Sequence, residues 1–263
     1  MELGIFIDAI IPWTEVIALS VARPYGLTLT FIALIWFKAD TGVLRIGIAI
    51  SIAMPVVANA GPEVRDILEQ SEVPIVLLVI KELIIGAIIG WLVSIPLVIA
   101  SGAGAIIDTY RGASSGSTDP SGGQVTAIAD LFMVTSLGLF AAVGGFWIVT
   151  DIIYQSYATW PIYSPMPDIK AGLGVFFSMI SSLIKAAFIL AAPIVTVMFL
   201  SDMTFLIAAK LGKKINVTFL AFSTKAIIAV AMLPFFSLVF LTVQKENFLQ
   251  YSMINDFLKA LLQ

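Results

Sequence analysis

Histidine and cysteine are both absent from the 263 residues of the chain. Without them the chain cannot form a disulfide, a thiolate nucleophile, a Ser-His-Asp triad or any of the common zinc and haem ligand sets. Charged residues are also scarce, at 12%, and the 14 basic and 17 acidic residues form no long block of one sign. A basic patch for nucleic acid is therefore missing. We expect no catalytic site, no metal site, no cofactor and no nucleic-acid partner.

Hydrophobic residues make up 60% of the chain, and its mean hydropathy is +1.05. These values lie outside the range of soluble globular domains, so the sequence predicts an all-α, polytopic membrane protein. Counting each long apolar run as one helix gives six spans. Most runs contain a proline, which predicts long kinked helices and helical hairpins. The runs are 13–37, 46–58, 74–107, 127–154, 171–209 and 217–243.

Four local patterns refine this picture. The second run is short for a span and should form a hairpin with the first. The run 74–107 exceeds one span, so it is either a long tilted helix or a broken one, and Gly86 and Gly90 within it permit close helix contact. The fifth run predicts a bend or hairpin at Pro193. The aromatic and proline-rich stretch 154–167 favours an anchor at the membrane interface.

A polar island, residues 108–126, interrupts the apolar sequence. Its four glycines, four serines and one proline are too flexible for a helix and too polar for lipid. A solvated turn and a functional loop are about equally compatible with this composition. A phosphate-binding loop is excluded because it requires a lysine that reaches the phosphates, and Arg111 is the only basic residue in the island. Asp108 and Arg111, three residues apart at the end of a helix, are expected to pair.

Several charges fall within or at the ends of the hydrophobic runs, where one unpaired charge costs about 2.5 to 3.5 kcal/mol on insertion scales. Adjacent residues of a helix point about 100° apart, so Lys81 and Glu82 are expected to need separate partners. This pattern indicates a protein that packs into other protein. The six candidate buried or subunit-interface charges are Arg23, Lys81, Glu82, Lys185, Asp202 and Lys225.

Two other functional classes share some of these features. A secondary transporter or channel for a small solute would also place charges and broken helices at a central site. However, the two halves of the chain show no obvious inverted repeat. An intramembrane hydrolase is the second alternative, because Ser182 and Lys185 fit the S-x-x-K pattern, although the companion S-D-N and K-T-G motifs are missing.

A series of short motifs runs in a fixed order from about residue 75 to residue 230. They are Lys81-Glu82, Gly86, Gly90, Ile107-Asp108, Arg111-Gly112-Ala113, Asp119-Pro120, Leu131-Phe132, Ser156-Tyr157, Trp160-Pro161, Leu190-Ala191-Ala192-Pro193, Met198-Phe199-Leu200, Asn216-Val217 and Lys225. In this order they resemble the FliR/SctT family of bacterial type III secretion export-apparatus proteins, and the spacing is closer to the virulence (injectisome) branch than to the flagellar one. Arg23 also fits. Thr109-Tyr110 stands where the family usually has Asn-Gln, and Asp119 stands where it has asparagine.

The resemblance implies that the protein is a core subunit of the export gate and crosses the bacterial inner membrane several times. Residues 1–263 would form a single export-apparatus domain within a hetero-oligomeric pore complex. Its parts would be an N-terminal hairpin region (1–74), helices flanking a pore loop (75–155), C-terminal hairpins (156–243) and an amphipathic tail (244–263). In this family much of the hydrophobic sequence forms hairpins buried against other subunits, in place of simple lipid spans.

The resemblance also implies partners and a gating loop. The partners are hydrophobic subunits of the FliP/SctR and FliQ/SctS families, with the switch protein of the FlhB/SctU family and the FlhA/SctV protein as further candidates. Membrane lipid and unfolded secreted proteins, as cargo, complete the set. The loop would project into the pore and act as a plug. The plug residues are Asp108, Arg111, Gly112, Ala113, Ser114, Ser115, Gly116, Ser117, Asp119, Pro120, Gly122 and Gly123.

Overall fold

The computed structural model describes residues 2–38, 41–59, 74–112, 126–162, 169–211 and 217–249. Within these ranges the chain forms eight α-helices and no β-strand, which confirms the all-α prediction. The helices are α1 (Glu2–Thr30), α2 (Ile32–Trp36), α3 (Gly42–Asn59), α4 (Ile75–Tyr110), α5 (Ala127–Ala142), α6 (Gly145–Thr159), α7 (Ile169–Leu211) and α8 (Val217–Leu249).

Among the described residues, three helical segments are long and apolar enough to cross a membrane: Ile75–Tyr110, Phe177–Lys210 and Leu220–Lys245. The pair formed by α5 and α6 would add a fourth if both helices together made one span. Within the described residues, two of the six expected runs are not single long helices: the run 46–58 belongs to the short helix α3, and the run 127–154 is interrupted between α5 and α6.

Two long helices continue through their prolines. Helix α4 is a single helix of 36 residues that contains Pro96, which resolves the choice between a long and a broken helix. Helix α7 runs for 43 residues through Pro193, so of the bend or hairpin predicted at that proline the hairpin is wrong. An apolar setting favours this outcome, because backbone groups released by a break would lack water as a partner.

The interruption between α5 and α6 occurs at a glycine. Gly144 has a φ of +77°, in the left-handed region that non-glycine residues rarely adopt. The run 127–154 was expected to form one helix, because its hydrophobicity is continuous. The Gly144-Gly145 pair was the available signal for the break, since glycine commonly ends a helix in this conformation.

One compact unit contains the described residues of Met1–Ile95 and Gly144–Phe176. In it α1 packs against α3, which confirms the expected hairpin. Helices α1 and α4 also approach closely at three glycines. A Cβ atom on Gly86 would overlap the Arg23 carbonyl, one on Gly90 would lie 2.5 Å from the carbonyl oxygen of Leu27, and one on Gly26 would overlap α4. The close contact predicted from Gly86 and Gly90 is confirmed.

The other compact unit contains the described residues of Pro96–Val143 and Phe177–Gln250. Its core includes three phenylalanines that join α5 to α8. The ring centroid of Phe132 lies 4.5 Å from that of Phe240 and 6.1 Å from that of Phe236. All three rings are buried, so this cluster fixes the packing of α5 on α8.

Candidate functional site

The first candidate site is a cluster around the buried side chain of Arg23 in α1. Its Nε lies 2.7 Å from Oε2 of Glu82, and neither side chain has any exposed surface. The two terminal nitrogens donate hydrogen bonds to Oγ of Ser156 (3.0 Å) and to the carbonyl oxygen of Trp160 (2.8 Å). The guanidinium also lies 4.1 Å from the ring centroid of Tyr157. Each charge-bearing group of Arg23 is therefore matched by a partner inside the chain.

Lys81 joins the same cluster. Its Nζ lies 3.1 Å from Oε1 of Glu82 and donates a hydrogen bond of 2.6 Å to the carbonyl oxygen of Ile162. Both residues have the separate partners that were expected, Arg23 for Glu82 and the Ile162 carbonyl for Lys81. They also approach each other, because the long lysine side chain spans the angle that separates the two Cβ atoms. Glu82 thus lies between two cations, and the buried cluster has one positive charge in excess.

The aromatic stretch after α6 contributes to this cluster. The hydroxyl of Tyr157 donates to the carbonyl oxygen of Ser20 (2.7 Å), and that of Tyr154 donates to the carbonyl oxygen of Ile52 (3.2 Å). Both tyrosines are half-buried within the chain. These two side chains tie α6 to α1 and α3, so for them the expected anchor at the membrane interface is replaced by an internal contact. Residues 163–168 of the stretch lie outside the described residues.

The second candidate site is the end of α4, where the polar island begins. Nη2 of Arg111 lies 2.7 Å from Oδ1 of Asp108, which confirms the predicted pair. The other carboxylate oxygen of Asp108 accepts hydrogen bonds from the backbone N–H groups of Ile128 (2.9 Å) and Ala129 (3.1 Å). Asp108 therefore caps the N-terminus of α5 across the island. Asp130, in the first turn of that helix, is exposed.

Two glycines permit this arrangement. Gly104 lies one turn before Asp108, and a Cβ atom there would lie 2.6 Å from the backbone nitrogen of Ala129. Gly112 has a φ of +82°, and a Cβ atom on it would lie 2.5 to 2.6 Å from two ring carbons of Phe222. The chain leaves α4 in a conformation that requires glycine. The remaining island residues, 113–125, lie outside the described residues.

Three of the six predicted charges remain: Asp202, Lys225 and Lys185. Nζ of Lys225 lies 3.4 Å from Oδ2 of Asp202, and both side chains are largely withdrawn from the surface. Lys185, in contrast, is exposed on α7. Of the two expected locations for Lys185, burial within the chain and a subunit interface, the first does not hold. Arg23, Lys81, Glu82 and Lys225 are buried in the chain, as expected.

The hydrolase alternative gains nothing from these positions. Ser182 and Lys185 are both exposed on α7, whereas a lysine that activates a nucleophile is usually desolvated. In the part of the chain that the structure describes, no three side chains of aspartate or glutamate converge where they could hold a metal ion.

Long apolar helices that carry ion pairs inside the chain define a polytopic helical membrane protein. The chain matches the family described as bacterial export proteins, family 1, over residues 15–251. Yop proteins translocation protein T of Yersinia pestis is 30% identical over 197 residues, 73% of this chain and 74% of that protein. Surface presentation of antigens protein SpaR of Salmonella typhimurium is 31% identical over 204 residues, 75% and 74% of the two chains.

Secretion system apparatus protein SsaT of Salmonella typhimurium is 23% identical over 223 residues, 84% of this chain and 86% of that protein. The chain belongs to this family of bacterial export proteins, which is the FliR/SctT family of type III secretion export-apparatus proteins. The relatives support its injectisome branch.

Sequence reasoning did not find Ser156, Tyr157 or the Trp160 carbonyl as partners of Arg23, nor Phe222 as the neighbour of Gly112. These three partners of Arg23 lie between 133 and 137 residues away along the chain, so no local pattern reports them. For Phe222 a signal did exist, since it lies three residues before Lys225 and hence on the same face of α8.

Proposed function

We propose that the protein is a core subunit of a type III export gate in the bacterial inner membrane, and that it helps to form and to plug the pore for unfolded secreted proteins. Family membership supports a role in the export apparatus. The proposed mechanism is passive: cargo displaces the island, and the island then returns. No bond of the cargo is made or broken at this subunit.

The observation that carries the plug proposal is the double role of Asp108. One oxygen holds Arg111 at the end of α4, and the other caps the start of α5. A single carboxylate thus holds both ends of the island at one point between two apolar helices. A polar, glycine-rich segment whose two ends are held at one point suits a gate, since gating elements have low local stability.

The surfaces of α7 and α8 support a place inside a larger assembly. Both carry large apolar side chains that this chain leaves exposed, among them Phe188 at 59%, Phe235 at 80% and Leu238 at 74%. Lys185 is exposed on α7, in the same spanning segment as Phe188, where lipid would disfavour its charge. We propose that subunits of the FliP/SctR and FliQ/SctS families cover these faces, with FlhB/SctU and FlhA/SctV proteins as further partners.

The plug proposal is tested by removing residues 113–122, which leaves Asp108, Arg111 and Gly112 in place. We expect the assembled complex to conduct ions and small solutes when it is reconstituted into vesicles. A control variant carries residues 113–122 in reversed order, with the same length and composition, and should stay closed. A deletion variant that assembles normally and conducts no more than the parent would contradict the plug role.

A solute transporter makes a different prediction. The tagged chain would then purify from its native membrane as a monomer or homodimer that binds a small solute. Recovery in a stable complex with several small hydrophobic subunits, identified by mass spectrometry, is the result that we expect for the export gate.

A further inference from the structure

Four side chains of one compact unit meet where α4 ends, and we call this group the base latch: Tyr110, Asp202, Phe222 and Lys225. Nζ of Lys225 lies 3.4 Å from Oδ2 of Asp202, 5.1 Å from the ring centroid of Tyr110 and 5.0 Å from that of Phe222. One ammonium group therefore contacts residues of three helices, α4, α7 and α8.

The base latch explains why the charged residues Asp202 and Lys225 can occupy apolar segments. Asp202 and Lys225 both belong to segments that are apolar enough to span a membrane. An isolated charge in such a segment is disfavoured, so each requires its partner. The two aromatic rings add cation–π attraction, which strengthens when the cation is withdrawn from water, and the side chain of Lys225 is only 10% exposed. The pair thus joins α7 to α8 at the level of the end of α4.

Phe222 connects the base latch to Gly112, the residue with a left-handed backbone conformation that follows the end of α4. Phe222 lies three residues before Lys225 and shares its face of α8. Its ring occupies the space that a side chain on Gly112 would need. Gly112 follows Arg111, which is held by Asp108. A continuous set of contacts therefore links the Asp202–Lys225 ion pair to the base of the island.

We infer that Asp202, Lys225 and Phe222 are positioning residues, which hold the end of α4 against α7 and α8 and so set where the island leaves the helix. This inference rests on the proposed gating function. It assigns the ion pair a task beyond holding two helices together: when the pair is lost, the base of the island moves while the complex still assembles.

The first test measures the base of the island directly. The chain has no cysteine, so exposed Thr109 and Leu220 can be replaced by cysteines that are the only labelling sites. With spin labels at both, the assembled complex should give one narrow distance distribution. Asp202→Asn should broaden or shift it, and the double exchange Asp202→Lys with Lys225→Asp should narrow it again. Lys210→Met, at the exposed end of α7, is the control and should leave it unchanged.

An unchanged distribution in Asp202→Asn would overturn the inference, as would a double exchange that restores nothing. Should Asp202→Asn fail to assemble, Phe222→Leu takes its place. It keeps both charges and an apolar side chain but removes the ring beside Gly112, and it should broaden the distribution as well.

The second test separates the base latch from the plug. In reconstituted vesicles Asp202→Asn should raise ion permeability about tenfold, which corresponds to about 1.4 kcal/mol in the closing equilibrium. If the 113–122 deletion conducts and Asp202→Asn does not, the latch is overturned and the plug stands. If the deletion does not conduct but Asp202→Asn broadens the spin-label distances, the plug fails and the latch stands.

Discussion

The Nε atom of Arg23 and the Oε2 atom of Glu82 lie 2.7 Å apart in a pair that has no exposed side-chain surface. The two residues are 59 positions apart along the chain, so their contact fixes α1 against α4. Lys81 approaches the other oxygen of the same carboxylate. The single carboxylate of Glu82 therefore compensates two buried cations, and it is the most sensitive position of this cluster.

Replacing Glu82 by Gln should destabilise the protein strongly. The substitution keeps the shape of the side chain but leaves Arg23 and Lys81 buried without a carboxylate, and removing one partner of a buried ion pair costs about 3 to 5 kcal/mol. We expect a large fall in the midpoint of thermal unfolding in detergent. Asp151→Asn is the matched control, since Asp151 is exposed and bonds Gln155 on its own helix. Equal midpoints for the two variants would contradict the role of Glu82.

How much of this could be predicted from the sequence depends on the distance between the partners. The Asp108–Arg111 pair lies within one helical turn and was predictable from spacing alone. So was the close approach at Gly86, because small residues four apart report a helix contact whatever the partner. The full set of partners of Arg23 was not predictable, since it comes from α4, α6 and the segment after α6.

The Lys81–Glu82 contact shows a second kind of limit. The angle between adjacent residues on a helix describes the Cβ directions, and a lysine side chain is long enough to bend around them. Continuous hydrophobicity had a similar weakness in the run 127–154, where the left-handed Gly144 ends the helical register. In both cases a general pattern of the helix left out what one residue could do.

Gly86→Ala tests the contact between α1 and α4. A methyl group at this position would overlap the backbone carbonyl of Arg23, which cannot rotate away as a side chain could. Overpacking of this kind costs about 1 to 3 kcal/mol, so the unfolding midpoint should fall. Gly47→Ala in α3 is the control, because nothing lies within 4 Å of its added methyl group. It should be neutral or stabilising by up to about 1 kcal/mol through helix propensity. A fall of similar size in both variants would argue against the close contact.

Asp108→Ala tests the cap across the island. Loss of the cap should cost about 0.5 to 2 kcal/mol, and it also frees Arg111 from its partner. Hydrogen exchange of the Ile128 and Ala129 amides should accelerate by about 2-fold to 30-fold, the range that corresponds to about 0.5 to 2 kcal/mol. Asp108→Asn keeps an acceptor for these amides and should retain most of the protection. Asp130→Ala, which removes only an exposed charge, should change the exchange of these two amides little. Protection that persists in Asp108→Ala would show that the cap is dispensable.

Substitutions of Lys185 test whether a partner covers the exposed face of α7. An exposed lysine inside a spanning segment is stable only beside water or an acidic group, and within an assembly of apolar subunits we expect a carboxylate of a neighbour. Lys185→Glu would place like charges together and should reduce the recovery of partner subunits in co-purification, whereas Lys185→Arg should preserve it. Because Lys185 is exposed in this chain, neither change should lower the stability of the isolated subunit. Lys210→Glu, at the exposed end of the same helix, should assemble normally. Full recovery of the partners with Lys185→Glu would mean that Lys185 faces water, and that α7 lines an aqueous path instead of a subunit interface.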